Sequence, residues 1–168
     1  MSADNAYERG RVLKWIFVLD EDYAWPSGRT FAEDCAYEDS SGKRRLEIRK
    51  NGEVRVLKGY AWDGCTPKFS MWDICVGTPD GVPNAATKKP KAYYASLLHD
   101  ALYQFSIEGL PAPLDRRSEI DRIFLEILER DGFAPRKLYY WAVRVFAGGI
   151  FYLYTRRKRG YKGRKVPL

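Results

Sequence analysis

The sequence predicts an α+β protein, in which an antiparallel β-rich N-terminal region is followed by an antiparallel helical core. Two observations carry this prediction: apolar residues alternate with charged ones in the first third of the chain, and they recur at helical spacing in the last half. The 168 residues suit one domain, or one core with an appended lobe. Hydrophobic residues make up 45% of the chain, so a buried core is possible.

The clearest local signal is a β-hairpin. Leu46 and Ile48 alternate with charged residues before an Asn51-Gly52 pair. Val54 and Val56 continue the alternation after it. An Asn-Gly pair favours the tight turn that joins two antiparallel strands, so the pattern predicts a hairpin with one face on the core and one charged face in water.

The sequence predicts a long loop over 61–91, because three glycines and four prolines there interrupt any helical or strand periodicity. A loop of this length inside a compact domain is usually functional. Beyond it, helical spacing predicts one helix over 92–105 and a second over about 116–130. A third helix is expected to begin near Pro135, because proline fits the first turn of a helix.

The net charge of +7 is concentrated at the C-terminus. Seven cations lie among the last thirteen residues: Arg156, Arg157, Lys158, Arg159, Lys162, Arg164 and Lys165. We therefore expect a β-rich region over 1–60, a helical core over 61–155 and a basic tail over 156–168. The charge favours an anionic partner, although a solvated or partner-ordered tail is the simpler interpretation and nucleic-acid binding through it the weaker one.

The three cysteines give no zinc or disulfide pattern, because their number is odd and no CxxC spacing occurs. They predict reduced thiols in an intracellular protein. The polar N-terminus predicts that no signal peptide is present. The apolar run 138–154 is short for a membrane span and carries Arg144 near its centre, so a buried helix followed by a second aromatic segment is expected rather than a transmembrane span.

His99 is the only histidine, which excludes a His-rich metal site and leaves one obvious general base near neutral pH. Tyr103 follows on the same helix face. Asp121 lies at the edge of the apolar stripe of the next helix, where a carboxylate is costly unless it is paired. Antiparallel packing of the two helices would bring Asp121 to His99 and fix its tautomer. A purely structural hydrogen bond is an equal alternative.

Oxygen ligands surround this pair in sequence. Asp63 and Gly64 can supply a carboxylate and a carbonyl before the helix, and Asp100 a second carboxylate on it. Such ligands suit calcium or magnesium rather than zinc. Taken alone, Asp63-Gly64 is equally typical of an ordinary turn.

Four segments resemble the bacterial and fungal type of phospholipase A2, in that family's order. The resemblance begins with an Asp a short step before Cys-Thr, seen in Asp63 to Thr66, and continues with His-Asp-x-x-Tyr in His99 to Tyr103. It ends with Ile-Asp-x-x-Phe in Ile120 to Phe124 and Tyr-Tyr-x-Ala-Val-basic-x-Phe in Tyr139 to Phe146. About half of the chain is covered. The same segments, with residues 59–64, resemble an uncharacterised phage and bacterial family, the domain of unknown function 1353 family.

The resemblance implies a calcium-dependent phospholipase A2-like lipid esterase acting on membrane phospholipid, with a phospholipase A2-like fold for the helical core. In that family's scheme, His99 would draw a proton from the attacking water, Asp121 would orient His99, and Tyr103 would support their network. Asp63, the Gly64 carbonyl and Asp100 would hold Ca2+, which would bind the lipid phosphate and the developing oxyanion.

Some features depart from that family. The chain shows no signal peptide or disulfide pattern, Ser96 stands where a helix cysteine is expected, and the β-rich first third has no counterpart. The alternative is therefore a non-enzymatic phage virion or assembly protein that retains a phospholipase-like core and binds other phage or assembly proteins. The expected location is cytoplasmic or virion-associated.

Overall fold

A five-stranded antiparallel sheet and three helices are the main elements of the part of the chain that the structure describes. The structure is a computed structural model and describes residues 17–62, 64, 70–71, 74–75, 83–145 and 163–168. The strands are β1 (Phe17–Val18), β2 (Tyr23–Pro26), β3 (Cys35–Glu38), β4 (Arg44–Ile48), β5 (Glu53–Val56), β6 (Ala61–Trp62), β7 (Ser70–Met71), β8 (Ile74–Cys75) and β9 (Arg164–Pro167). The helices are α1 (Tyr93–Phe105), extended by a 3-10 turn (Ser106–Glu108), α2 (Arg117–Arg130) and α3, which is described over 136–145.

The predicted α+β class is confirmed, and so is the hairpin. Strands β4 and β5 pair with Leu46 opposite Val56 and Ile48 opposite Val54, and all four side chains are fully buried. Gly52 in the turn has a φ of +94°, and a Cβ there would lie 2.1 Å from the Arg29 carbonyl oxygen. Only glycine fits this position, because the clash is with backbone rather than with a flexible side chain.

The sheet has the order β2-β5-β4-β3-β9, so a C-terminal strand closes its far edge. This differs from the basic tail expected over 156–168: its part Arg164–Pro167 is a strand paired with β3, and 156–162 lie outside the described residues. Two of the cations are matched to acids across this edge, Arg164 to Glu38 and Lys165 to Glu33. Charge composition indicated a tail, but strand pairing and these ion pairs order its end.

Helices α1 and α2 lie where the periodicity predicts them, and they run antiparallel. Tyr103 of α1 contacts Arg117 at the start of α2, whereas His99, one turn earlier, contacts Asp121 one turn later. Their apolar stripes and the inner sheet face belong to one buried cluster, in which Tyr37 of β3 meets Phe105 of α1 at 5.5 Å between ring centres. The sheet and the helices therefore share one core.

Helix α3 begins close to Pro135, as predicted, but it is buried on one face only. Tyr139 packs edge-on against Phe133 at 4.8 Å. Leu138, Trp141 and Val145 are between 63% and 68% exposed, so the expectation of a buried helix is wrong for this part of the apolar run. None of the described helices is long and apolar enough to cross a membrane.

Candidate functional site

The site is built where α1 and α2 face each other. His99 borders the apolar stripe of α1 and is only 8% exposed, and Asp121 on α2 is completely buried. His99 Nε2 lies 3.2 Å from Asp121 Oδ1. The antiparallel packing thus brings the two residues together, because each occupies the edge of its helix stripe nearest the other helix.

Tyr103 joins the same carboxylate oxygen. Its hydroxyl donates to Asp121 Oδ1 at 2.7 Å and accepts a hydrogen bond from Arg117 Nε at 3.0 Å. Its ring stacks on the His99 imidazole, with 4.3 Å between ring centres. The arginine fixes the direction of the tyrosine O–H, since a hydroxyl that accepts from one side donates from the other.

Arg144 on α3 completes the cluster, and the sequence reasoning did not assign it a role there. Its Nη1 donates to Asp121 Oδ2 at 3.2 Å, while its side chain stays 38% exposed. The available signal was a single cation inside an apolar run, together with a carboxylate on an apolar stripe that needed a partner. Arg117, which holds Tyr103, was missed as well. We refer below to His99, Tyr103, Asp121, Arg117 and Arg144 as the His99 cluster.

Neighbouring groups favour the charged forms of both His99 and Asp121. Burial alone lowers the pKa of His99, but the carboxylates of Asp100 and Asp121 outweigh it and raise the pKa above its ordinary value. Burial alone raises the pKa of Asp121, but hydrogen bonds from His99, Tyr103 and Arg144 outweigh it and lower the pKa. Burial raises the pKa of Tyr103, with Asp121 adding to the effect, so Tyr103 remains a hydrogen-bond donor.

The hydrogen bond to Asp121 selects one tautomer of His99. An ionised carboxylate only accepts hydrogen bonds, so neutral His99 carries its proton on Nε2 and its lone pair on Nδ1. Nδ1 lies 3.8 Å from Asp100 Oδ1, and the Asp100 side chain is 37% exposed. The basic nitrogen, Nδ1, therefore lies on the side of the imidazole that faces the partly exposed Asp100.

The predicted metal ligands are only partly described. Asp100 follows His99 on α1 and is half-buried, and Gly64 has a φ of +78°. Asp63 lies outside the described residues, so the predicted ligand set stays a prediction. Within the ranges that the structure does describe, no group of three His, Cys, Asp or Glu side chains converges in a way that could hold a metal ion.

A separate cleft of about 260 Å³ lies between the β1–β2 connection and the start of α1. It is lined by residues 19–23, Thr87, Lys89 and Tyr94. None of the predicted site residues lines it. Its walls are mostly polar side chains, and Lys89 already pairs with Asp20 at 3.3 Å across it.

The fold and the site together define the chain as an α+β protein with a buried His-Asp pair, which a half-buried tyrosine and two arginines hold through hydrogen bonds. No family model, no curated protein and no solved structure matches it.

Proposed function

We propose that this protein is a calcium-dependent phospholipase A2-like lipid esterase, in which His99 activates water for attack on a phospholipid ester. The observation that carries the proposal is the bond from His99 Nε2 to the fully buried Asp121, supported by the Tyr103 hydroxyl on the same oxygen. A buried carboxylate behind an imidazole holds its tautomer and stabilises the imidazolium that forms when it takes a proton.

The proposed reaction is the hydrolysis of the ester bond by water. His99 Nδ1 takes a proton from water as the water oxygen bonds to the ester carbonyl carbon. The carbonyl π bond opens to an oxyanion, which then collapses and breaks the bond to the alkoxide oxygen. His99 returns the proton to that alkoxide. The products are a fatty acid and a lysophospholipid, and Asp121 stays ionised throughout.

Oxygen ligands of the proposed site suit a hard cation. Asp100, the Gly64 carbonyl and Asp63 would hold calcium, and a carboxylate pair with a carbonyl is the chemistry that calcium prefers. When bound, the ion would supply positive charge for the lipid phosphate and the developing oxyanion. The Asp100 carboxylate lies on the Nδ1 side of His99, and its half-exposed side chain suits a ligand that meets solvent and substrate.

The proposal is tested with phospholipid vesicles that carry a labelled sn-2 acyl chain. We expect the protein to release labelled fatty acid in millimolar calcium and to lose this activity in EGTA. The Asp100→Asn variant should need far more calcium, because it loses one charged ligand, and Asp115→Asn on an exposed turn should behave like the wild type. Absence of release in calcium, or release that EGTA leaves unchanged, contradicts the calcium-dependent assignment.

A structural role for the same cluster is the alternative, and one observation favours it. Both oxygens of Asp121 are hydrogen bonded within the protein, and His99 is only 8% exposed. A scaffold, such as a virion or assembly protein, would need the cluster only for stability. It predicts that no lipid is hydrolysed and that replacing His99 lowers the free energy of unfolding as its main effect.

A further inference from the structure

An exposed apolar stripe runs along the outer face of α3. Leu138, Trp141 and Val145 are 68%, 63% and 65% exposed. They are spaced three and four residues apart, so they lie side by side on one helix face. The opposite face holds Tyr139 in the core. We call these three residues the α3 stripe.

Cations flank this stripe. Lys137 is exposed, and Arg144 is 38% exposed although it bonds Asp121. They are seven residues apart, so they follow one side of the stripe along the helix. A helix with a large apolar face bordered by lysine and arginine is typical of segments that lie flat on an anionic membrane surface.

The excess of positive charge lies in the C-terminal part of the chain, which contains α3. The residues after Asp131 include ten cations and no Asp or Glu, whereas the 131 residues up to that point carry 19 cations against 22 acids. An anionic bilayer attracts such a segment, and Trp141 suits the boundary between headgroups and acyl chains. Nucleic acid would match the charge but leave the apolar stripe without a partner.

We propose that the α3 stripe is the surface by which this protein docks on an anionic phospholipid bilayer. The choice of lipid as partner rests on the proposed function, and the docking surface extends it. Arg144 connects the α3 stripe to the His99 cluster, because its side chain borders the stripe and also donates a hydrogen bond to Asp121 at 3.2 Å. Docking through α3 therefore brings the bilayer beside the His99 cluster.

The test measures binding without turnover. Full-length protein is sedimented in EGTA with vesicles of phosphatidylcholine alone and of phosphatidylcholine with phosphatidylglycerol in a three-to-one mixture. Leu138→Asp removes an apolar contact and adds a negative charge. Ile107→Asp makes the same kind of change at a site outside α3 that is 52% exposed, so it is the matched control. Circular dichroism checks that both variants fold.

We expect binding to the mixed vesicles only, weakened by salt. Leu138→Asp should weaken it at least about tenfold, because burying a leucine side chain contributes that much or more. Ile107→Asp should bind like the wild type. The change in tryptophan fluorescence should follow the same order and should be lost in Trp141→Phe, since docking moves the Trp141 indole out of water.

Two results overturn the docking surface. One is failure of the wild type to sediment with the mixed vesicles, including the case in which Leu138→Asp instead abolishes a dimer of this chain. The other is an equal effect of Leu138→Asp and Ile107→Asp. Failure of the proposed function looks different: vesicles bind, but the wild type releases no fatty acid in calcium.

Discussion

Asp121 is the residue on which the polar side chains of the His99 cluster converge. Its two oxygens accept from His99 and Tyr103 on one side and from Arg144 on the other. A fully buried carboxylate needs such partners, because an unpaired one is expensive to hold in the core. The cluster is therefore tied to stability as well as to the proposed chemistry.

Replacing Arg144 tests whether the His99 cluster contributes to stability. Arg144→Gln should lower the free energy of unfolding by about 1–2 kcal/mol, because Asp121 loses a charged donor that is partly screened by solvent. It should also raise the pKa of His99, since the positive charge beside Asp121 is gone. Urea unfolding and an NMR titration of the single histidine measure the two effects.

Arg136 is the matched control for Arg144. It lies on the same helix, is 37% exposed and pairs with the exposed Glu129 at 3.4 Å. Arg136→Gln should change the free energy of unfolding by less than about 0.5 kcal/mol and leave the His99 titration unchanged. Equal effects of the two substitutions would contradict a specific role of Arg144 at Asp121.

The pH dependence at His99 has a definite sign. Its pKa in the folded protein is raised above the ordinary value of 6.5, so the charged form is favoured by folding. The resulting stability is fully present below pH 6.5 and is lost as pH rises through the folded pKa. Hydrolysis should run the other way, because only neutral His99 can accept a proton.

An NMR titration of His99 checks this directly, and its midpoint should coincide with the rise in hydrolysis rate. The difference in unfolding free energy between wild type and His99→Asn should shrink over the same pH range. A His99 midpoint below 6.5 would contradict the view that Asp100 and Asp121 outweigh burial.

At the scale of single elements, the β4–β5 hairpin depends on Gly52. A Cβ there would lie 2.1 Å from the backbone oxygen of Arg29, and its φ is +94°. Gly42 also has a positive φ, +77°, but nothing lies within 4 Å of a Cβ built on it. The two glycines therefore separate the conformational penalty from the steric one.

Gly42→Ala should lower the free energy of unfolding by about 1 kcal/mol, which is the penalty for a left-handed backbone alone. Gly52→Ala should cost about 1–3 kcal/mol more, because backbone must move to relieve the clash. Thermal unfolding of both variants provides the comparison. Similar losses from the two would show that the connection between β2 and β3, which carries Arg29, moves easily.

Elements with local signals were predictable from sequence. The hairpin follows from alternation around Asn51-Gly52, and α1 and α2 follow from their apolar periods. The meeting of His99 and Asp121 could be anticipated because both lie at stripe edges of neighbouring helices. The contact of Arg144 could not, since it depends on how α3 packs across α2, which no local pattern specifies.

At the scale of the whole molecule, β9 is the element that the sequence composition did not predict. Its basic residues indicated a tail, but pairing with β3 joins the C-terminus to a sheet formed by residues 23–56. Such long-range pairing leaves no local signature apart from matching charges, here Arg164 with Glu38. The exposure of the outer face of α3 was not predicted either, because apolar composition alone indicated burial.

Deleting residues 164–168 tests the contribution of β9. We expect a loss of roughly 2–4 kcal/mol in the free energy of unfolding, because four strand residues lose their backbone partners. The variant should also aggregate more readily, since β3 becomes an exposed edge. Arg164→Gln with Lys165→Gln keeps the strand and should lose less than about 1 kcal/mol. Equal stability of deleted and intact chains would show that β9 only rests on the sheet.

The central claim is that His99 serves as the base of a hydrolytic site, and the rate of sn-2 fatty-acid release by His99→Asn tests it most directly. We expect a rate lower than that of the wild type by about 10²–10⁴-fold at equal folded fraction, the usual contribution of a general base. Tyr103→Phe, which keeps the ring but loses the bond to Asp121, should show a much smaller loss. Undiminished release by folded His99→Asn would contradict the claim.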